Sequence, residues 1–326
     1  MVYVQDIDGK PMMPTTRHGK VRRLLKANKA TVVNLCPFTI QLTYKSTDHK
    51  QPVTLGIDAG AKHIGFSATT EKEELFACET ILRTDIVDLL STRSQNRRTR
   101  RSRLRYRKPK FNNRVFSKKK GWVAPSVKQR IDSHLNEVNE IHKILPITKI
   151  VIEVAQFDTH KMKNPNISGI DYQNGEQLGF WNVREYVLFR DGHKCSYCKG
   201  KSKDPILNIH HIESRKTGGD SPSNLITLCE TCHKEYHKGN IDLKVRRGKS
   251  LRGAAIMGIM KWRLYDELKS RYSNVSMTFG YITKYNRIKY GIEKSHTSDA
   301  FVISKNFNAK RIEYQYLKRL VRRHNR

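Results

Sequence analysis

Cys195-Ser-Tyr-Cys198, Leu207-Asn-Ile-His-His-Ile212, Thr217-Gly-Gly-Asp-Ser-Pro-Ser-Asn-Leu225 and Leu228-Cys-Glu-Thr-Cys-His-Lys-Glu-Tyr-His237 follow one another in a single stretch of this chain. Two CxxC pairs, Cys195/Cys198 and Cys229/Cys232, supply four thiolates, the ligand set of a closed tetrahedral zinc site. Such knuckles clamp a segment too small to hold itself by core burial. A rubredoxin-like iron site or a plain zinc ribbon would account for the cysteines, but not for the histidines. His210 and His211 are adjacent, and His233 and His237 stand at i and i+4, on one face of a helix. Gly218-Gly219 marks a turn between them.

The rest of the chain tells what such a segment works on. The 326 residues carry 63 Lys plus Arg against 30 Asp plus Glu, a formal charge of +33. That self-repulsion is best tolerated beside a polyanion, so nucleic acid is the expected partner. No apolar run approaches a membrane span, and Met1-Val-Tyr-Val-Gln-Asp lacks the features of a signal peptide. Six cysteines, four in CxxC pairs, fit metal in a reducing compartment rather than a disulfide scaffold. Cys36 and Cys78 read as ordinary thiols.

Residues 1–52 read as a small α+β module: strands at Val2-Tyr3-Val4, Thr31-Val32-Val33 and Thr39-Ile40-Gln41-Leu42, a helix over 21–29, and a stiff Pro11-Met12-Met13-Pro14 turn. A new domain starts at Val53. Thr54-Leu55-Gly56-Ile57-Asp58 is an apolar strand ending in a carboxylate, followed by strands over 63–69 and 75–81. Between Arg93 and Lys120 stand fourteen basic residues and no acidic one. Its centre, Arg97-Arg98-Thr99-Arg100-Arg101-Ser102-Arg103-Leu104-Arg105-Tyr106-Arg107, has helix formers and cations on every face. A helix of that kind is expected to be embedded in nucleic acid, with arginine forks on phosphates. Helical spacing returns over 125–144, with Val127, Ile131, Leu135, Val138, Ile141 and Ile144, and Pro146 stops it. Lys149–Val154 reads as a buried strand carrying Glu153, costly there unless paired or used. Residues 161–179 read as a linker, 181–190 and 254–272 as helices, and 275–279 as a strand. Ser295-His296-Thr297-Ser298-Asp299 opens a capped helix with His296 and Asp299 on one face.

The opening stretch resembles the HNH (ββα-metal) nucleases, with His210, His211, Asn224, His233 and His237 in order. The resemblance implies that His211 at a strand end is a general base on water. It implies that His210, His233 and His237 hold a divalent ion (Mg2+ or Mn2+). Asn224 would tie the loop and hold the His211 ring. Asp58, Glu153 and Asp299, with His296, form a second, dispersed constellation suited to two hard divalent ions.

The order of Pro11-Met12-Met13-Pro14, Gly56-Ile57-Asp58-Ala59-Gly60, Arg97-Arg98-Thr99-Arg100-Arg101, the 151–157 segment Val-Ile-Glu-Val-Ala-Gln-Phe, an HNH insertion and the 295–301 segment Ser-His-Thr-Ser-Asp-Ala-Phe resembles the IscB family. These are transposon-encoded RNA-guided nucleases related to type II CRISPR effectors. The resemblance implies an α/β multidomain chain: an RNase H-like (RuvC) domain in three segments, 53–92, 121–172 and 246–308. These are interrupted by an arginine-rich bridge helix (93–120) and an inserted zinc-knuckle HNH domain (173–245). They are preceded by the 1–52 (PLMP-like) module and followed by a basic segment (309–326). Asp58, Glu153, His296 and Asp299 become the RuvC site with Mg2+ or Mn2+, and Cys195, Cys198, Cys229 and Cys232 a structural Zn2+ site. Arg97, Arg98, Arg100, Arg101, Arg103, Arg105 and Arg107 become nucleic-acid contacts. Implied partners are a structured guide (omega) RNA, in a 1:1 complex with a monomer, and double-stranded DNA, in the prokaryotic cytoplasm. HNH would cut the guide-paired strand and RuvC the displaced one. Family members usually continue past the third RuvC segment into a part that reads the motif flanking the target, and this sequence ends at Arg326. A guide-independent HNH endonuclease would explain the cysteine–histidine stretch but not the arginine helix or split acids. A non-cleaving RNA-binding protein would not need the acids and histidines.

Overall fold

A computed structural model describes residues 1–47, 49–104, 121–155, 177, 179–245 and 252–322. The chain divides into two compact units, Met1–Gln156 with Ile256–Arg326, and Phe157–Ala255. The first is therefore built from two separated stretches of chain, and the second from one.

The larger unit is organised on a six-stranded sheet. Its strands are β4 (Thr54–Ala59), β5 (His63–Thr69), β6 (Glu74–Ile81), β7 (Lys149–Val154), β10 (Val275–Phe279) and β11 (Tyr316–Arg319), in the order β10-β7-β4-β5-β6-β11. β4, β5 and β6 form an antiparallel meander, β7 joins β4 in parallel, and β10 joins β7 in parallel. Leu55, Ile57, Ile64, Phe66, Ile150 and Ile152 are fully or almost fully buried, as apolar, β-branched-rich runs covered on both faces must be. The Pro125–Ile144 helix lays Val127, Ile131, Leu135, Val138, Ile141 and Ile144 into the same core. Each such side chain stabilises by about 1.5–3 kcal/mol when fully buried.

Register sets the chemistry. Ile57 pairs with Ile152, so the next residues, Asp58 and Glu153, stand at the same end of neighbouring strands. Over that end lies the His296–Ser304 helix, whose Ser295 cap accepts from the Ser298 backbone N–H at 3.0 Å. Two glycines allow the helix to lie on the sheet. A Cβ on Gly56 would collide with the Ala300 carbonyl oxygen, and one on Gly65 with that of His296. The helix backbone rests directly on strand backbone, which brings His296 and Asp299 down beside Asp58.

The N-terminal residues form a three-stranded sheet of β1 (Tyr3–Gln5), β3 (Phe38–Leu42) and β2 (Ala30–Leu35), with the His18–Lys26 helix. Val2, Val21, Ala30, Ile40 and Leu42 make its small core. It is anchored on the larger sheet: Tyr3 is buried in the main core and its hydroxyl donates to the Leu75 carbonyl at 3.0 Å.

Several elements differ from the sequence reading. The arginine-rich helix begins at Ile86, not Arg93, because apolar Ile86, Val87, Leu89 and Leu90 continue the helical run. The Gly280–Lys289 helix, unread from sequence, follows β10 directly. The basic end of the chain is a strand: β11 pairs in parallel with β6, and Lys318 reaches Glu137 at 2.8 Å. The expected linker over 161–179 lies almost wholly outside the described residues.

In the smaller unit, β8 (Leu207–His211) and β9 (Leu225–Cys229) pair antiparallel, with His211 opposite Leu225, and the Glu230–His237 helix follows at once. Cys195, Cys229, Cys232, Ile226 and Leu228 form its core. No described helix is long and apolar enough to cross a membrane.

Gly65→Ala is expected to cost about 1–3 kcal/mol by lifting the His296–Ser304 helix, read as a lower melting temperature. Burial pushes His134 and His142 down to about 4. The unfolded chain takes up these protons near pH 6.5 and the folded chain only near 4, so stability is full above 6.5 and falls between the two. The melting temperature should drop over that window, with a shallower slope in His142→Gln.

Candidate metal centres

The cysteine cluster is assembled by two tight turns. Cys195 and Cys198 come from the loop after the Val183–Arg190 helix, and Cys229 and Cys232 from the end of β9 and the first helical turn beyond it. The four sulfurs lie within 4.8 Å of one another. Cys198 Sγ and Cys229 Sγ are 3.8 Å apart, matching the roughly 3.8 Å edge of a tetrahedron of thiolates about 2.3 Å from zinc. A hydrogen bond from Ser202 helps pull the Cys198 thiol down to about 6. Burial, with its neighbouring sulfurs, pushes Cys232 up. A divalent cation would relieve that crowding, so the residues fit zinc.

The second set is His210, His233 and His237, whose ligand atoms also lie within 4.8 Å of one another. His233 Nε2 and His237 Nε2 are 3.3 Å apart. His210 is buried, and its Nε2 has no hydrogen-bond partner. An orphaned buried nitrogen facing two imidazoles is what a metal ligand looks like without its ion. Burial and the neighbouring histidines lower His210 to about 4 and burial lowers His233, so both rings are neutral at pH 7, as ligation requires. Three imidazoles and no carboxylate suit a borderline transition ion better than Mg2+.

His211 points elsewhere. Its Nε2 is 2.9 Å from Asp220 Oδ1, and Arg215 holds the other carboxylate oxygen at 2.9 Å. A carboxylate only accepts, so Nε2 carries the hydrogen and Nδ1 presents its lone pair. Asn224, read as tying the loop and holding the His211 ring, makes the loop ties: Oδ1 accepts from the Glu213 N–H at 2.9 Å, and Nδ2 donates to the Glu213 and Gly219 carbonyls. Asp220 sits in the turn-forming Gly-Gly-Asp-Ser-Pro run, whose composition signals only a loop.

The acid centre lies at the β4–β7 end of the large sheet. Each carboxylate has a nitrogen partner: Asp58 Oδ2 meets His296 Nδ1 at 2.8 Å, Glu153 meets Lys261 at 2.8 Å, and Asp299 meets Arg287 at 3.1 Å. Lys261 is buried, so the Glu153–Lys261 pair is shielded from solvent. Burial and the nearby Asp58 raise the Asp299 carboxyl, with Glu153 adding to the effect, while the hydrogen bond to Asp58 raises His296. Hard oxygen donors under mutual repulsion fit a divalent cation such as Mg2+. Among the described residues these three acids are not a set within 4.8 Å; His63, Glu79 and His296 are. Lys261, Arg287, His63 and Glu79 carried no signal in the sequence.

Arg97, Arg98, Arg100, Arg101 and Arg103 are all exposed on the Ile86–Leu104 helix. Arg105 and Arg107 lie outside the described residues.

A four-cysteine knuckle thus stands with three clustered imidazoles and an adjacent histidine, and residues 195–239 match the HNH endonuclease family. Residues 2–175, more than half of the chain, match the RRXRR protein family, of the Cas9/IscB type, and the chain belongs to it. It is also similar to anaredoxin of Nostoc sp. (strain PCC 7120), 34% identical over 67 residues, 20% of this chain and 84% of that protein. Among solved structures it is similar to Streptococcus thermophilus Cas9 in complex with the AGAA PAM, at 15% identity and a TM-score of 0.40. That likeness covers 64% of this chain and 28% of that one. For the type II-C Cas9 of Actinomyces naeslundii the values are 11% and 0.31, covering 78% and 60%. The chain thus spans less than a third of the first of these Cas9 chains.

Cys195→Ser should lose the zinc and melt the smaller unit locally, with the melting of the larger unit unchanged. Metal analysis and near-ultraviolet circular dichroism read the two effects.

Proposed function

We propose that this protein is an RNA-guided DNA endonuclease with two cutting centres, HNH on the guide-paired strand and RuvC on the displaced strand. The observation that carries the reading is one chain holding two donor clusters of different chemistry. One is imidazole-rich in a contiguous insertion, the other carboxylate-rich on a sheet assembled from both flanks. The sheet order, an antiparallel meander extended by parallel strands, supports the RNase H-like assignment. The exposed arginines of the Ile86–Leu104 helix and the charge of +33 support binding to a structured guide RNA and its DNA target. A monomer bound to one guide fits this surface.

At the HNH centre, His211 accepts the proton of an attacking water at Nδ1. Asp220 receives the Nε2–H and stabilises the imidazolium that forms, the role of an orienting carboxylate beside a general base. His210, His233 and His237 would hold the divalent ion. When bound, that ion supplies positive charge for the phosphate and the leaving 3′ oxygen. At the RuvC centre, Asp58, Glu153 and Asp299 would hold Mg2+ or Mn2+. His296, with Nδ1–H directed to Asp58, offers Nε2 to a water. Lys261 and Arg287 keep Glu153 and Asp299 in place and limit their repulsion.

Purified from its own cells, the protein should carry a structured RNA, and RNase treatment should abolish sequence-specific cutting. His211→Ala should slow cutting of the guide-paired strand by about 10²–10⁴-fold and spare the other, with Asp220→Asn falling between. Asp58→Ala should do the reverse. Loss of both cuts from either change, or cutting that survives RNase, rules the reading out.

A further inference from the structure

The acid centre has a neighbour that its own chemistry does not use. His63 opens β5, Glu79 stands near the end of β6, and His296 opens the helix above them. One ligand atom from each lies within 4.8 Å of the others. The two imidazoles are stacked, centroids 5.1 Å apart and planes 4° from parallel. His63 Nδ1 is 2.7 Å from Glu79 Oε1, as His296 Nδ1 is 2.8 Å from Asp58 Oδ2. Asp58 can only accept, so His296 Nδ1 carries the hydrogen and its Nε2 keeps the lone pair; at the other dyad an ion would replace the hydrogen between His63 Nδ1 and Glu79 Oε1 and take both atoms as ligands. Asp58 behind His296 is the arrangement that fixes the tautomer and raises the basicity of a metal-binding histidine. The side chains of His63 and His296 are 38% and 42% exposed, open to an entering ion and to water ligands.

We propose that His63, Glu79 and His296 form a further cation site, bordering the three carboxylates, that takes a borderline transition ion such as Zn2+ or Co2+ in preference to Mg2+. Two imidazole nitrogens and one carboxylate are the donors such ions favour, whereas Mg2+ selects oxygen and gives up its water reluctantly. The site shares His296 with the RuvC centre. An ion there occupies the Nε2 that the displaced-strand cut needs, a consequence that rests on the function proposed above. Micromolar zinc would then turn a two-strand cutter into a single-strand cutter.

The test is a count of bound Co2+ on the full chain, stripped with chelator and titrated with Co2+ alone at pH 7.5. Wild type should bind one equivalent more than His63→Ala. His296→Ala should lose the same equivalent, and the double variant should lose no more than either single. Glu79→Gln, which removes the charged donor, should weaken the site at least tenfold. His63→Asn, which keeps a polar side chain in place, separates loss of the ion from loss of the fold. Wild-type stoichiometry in both His63 variants overturns the proposal, as do losses that add in the double variant. In a cleavage assay at fixed Mg2+, added Zn2+ should suppress the Asp58-dependent cut at least tenfold in wild type and much less in His63→Ala. If Asp58→Ala changes neither cut while the Co2+ count holds, the functional reading falls and the cation site stands. If the count fails while the strand-specific losses hold, the reverse is true.

Discussion

Backbone lies on backbone where the His296–Ser304 helix crosses Gly56 and Gly65, and the acid centre depends on that contact. With side chains at those two places, the helix would stand a methyl group or more above the sheet. His296 would then lose its 2.8 Å contact with Asp58, and Asp299 would move out of the field of Asp58 and Glu153. The absence of two Cβ atoms does more for this geometry than any single ionic contact. Overpacking of this kind is not absorbed, because interiors packed at crystal density transmit displacement rather than damp it.

The two centres solve opposite electrostatic problems. At the imidazole cluster burial lowers His210 to about 4 and lowers His233 as well, so both offer neutral nitrogens. On the sheet the donors are anionic, and the chain supplies its own cations to hold them. Lys261, buried against Glu153, is the clearest case, since a lone buried charge of either sign would be strongly destabilising. The acid centre is thus a folded, neutralised structure in its own right.

Much of this was legible in the sequence. The helix over 125–144 and the strand over 149–154 coincide with the observed elements because their apolar residues recur at one clear period. The cysteine and histidine sets were legible because ligand spacing is local: CxxC and HxxxH bring donors together through one turn of chain. What could not be read were partners chosen by packing between distant segments. Asp220 is hidden in a loop of turn formers, and His63 and Glu79 meet only because β5 and β6 pair in one register. Lys261 is one cation among 63 Lys and Arg. β11 was unreadable for a related reason. A strand of four residues, mostly exposed and half basic, carries too little periodicity to separate from a charged tail.

The parallel pairing of β11 with β6 carries a consequence for how the chain is made. β10, the His296–Ser304 helix and β11 all follow the knuckle in sequence, and the large sheet needs each of them. On a ribosome, where domains form as they emerge, the contiguous zinc unit has every residue it needs while the sheet still lacks two strands and its covering helix. The inserted module therefore finishes before the large sheet does. The nascent meander of β4, β5 and β6 must wait with β6 unpaired along one side until Tyr316–Arg319 arrives to close it.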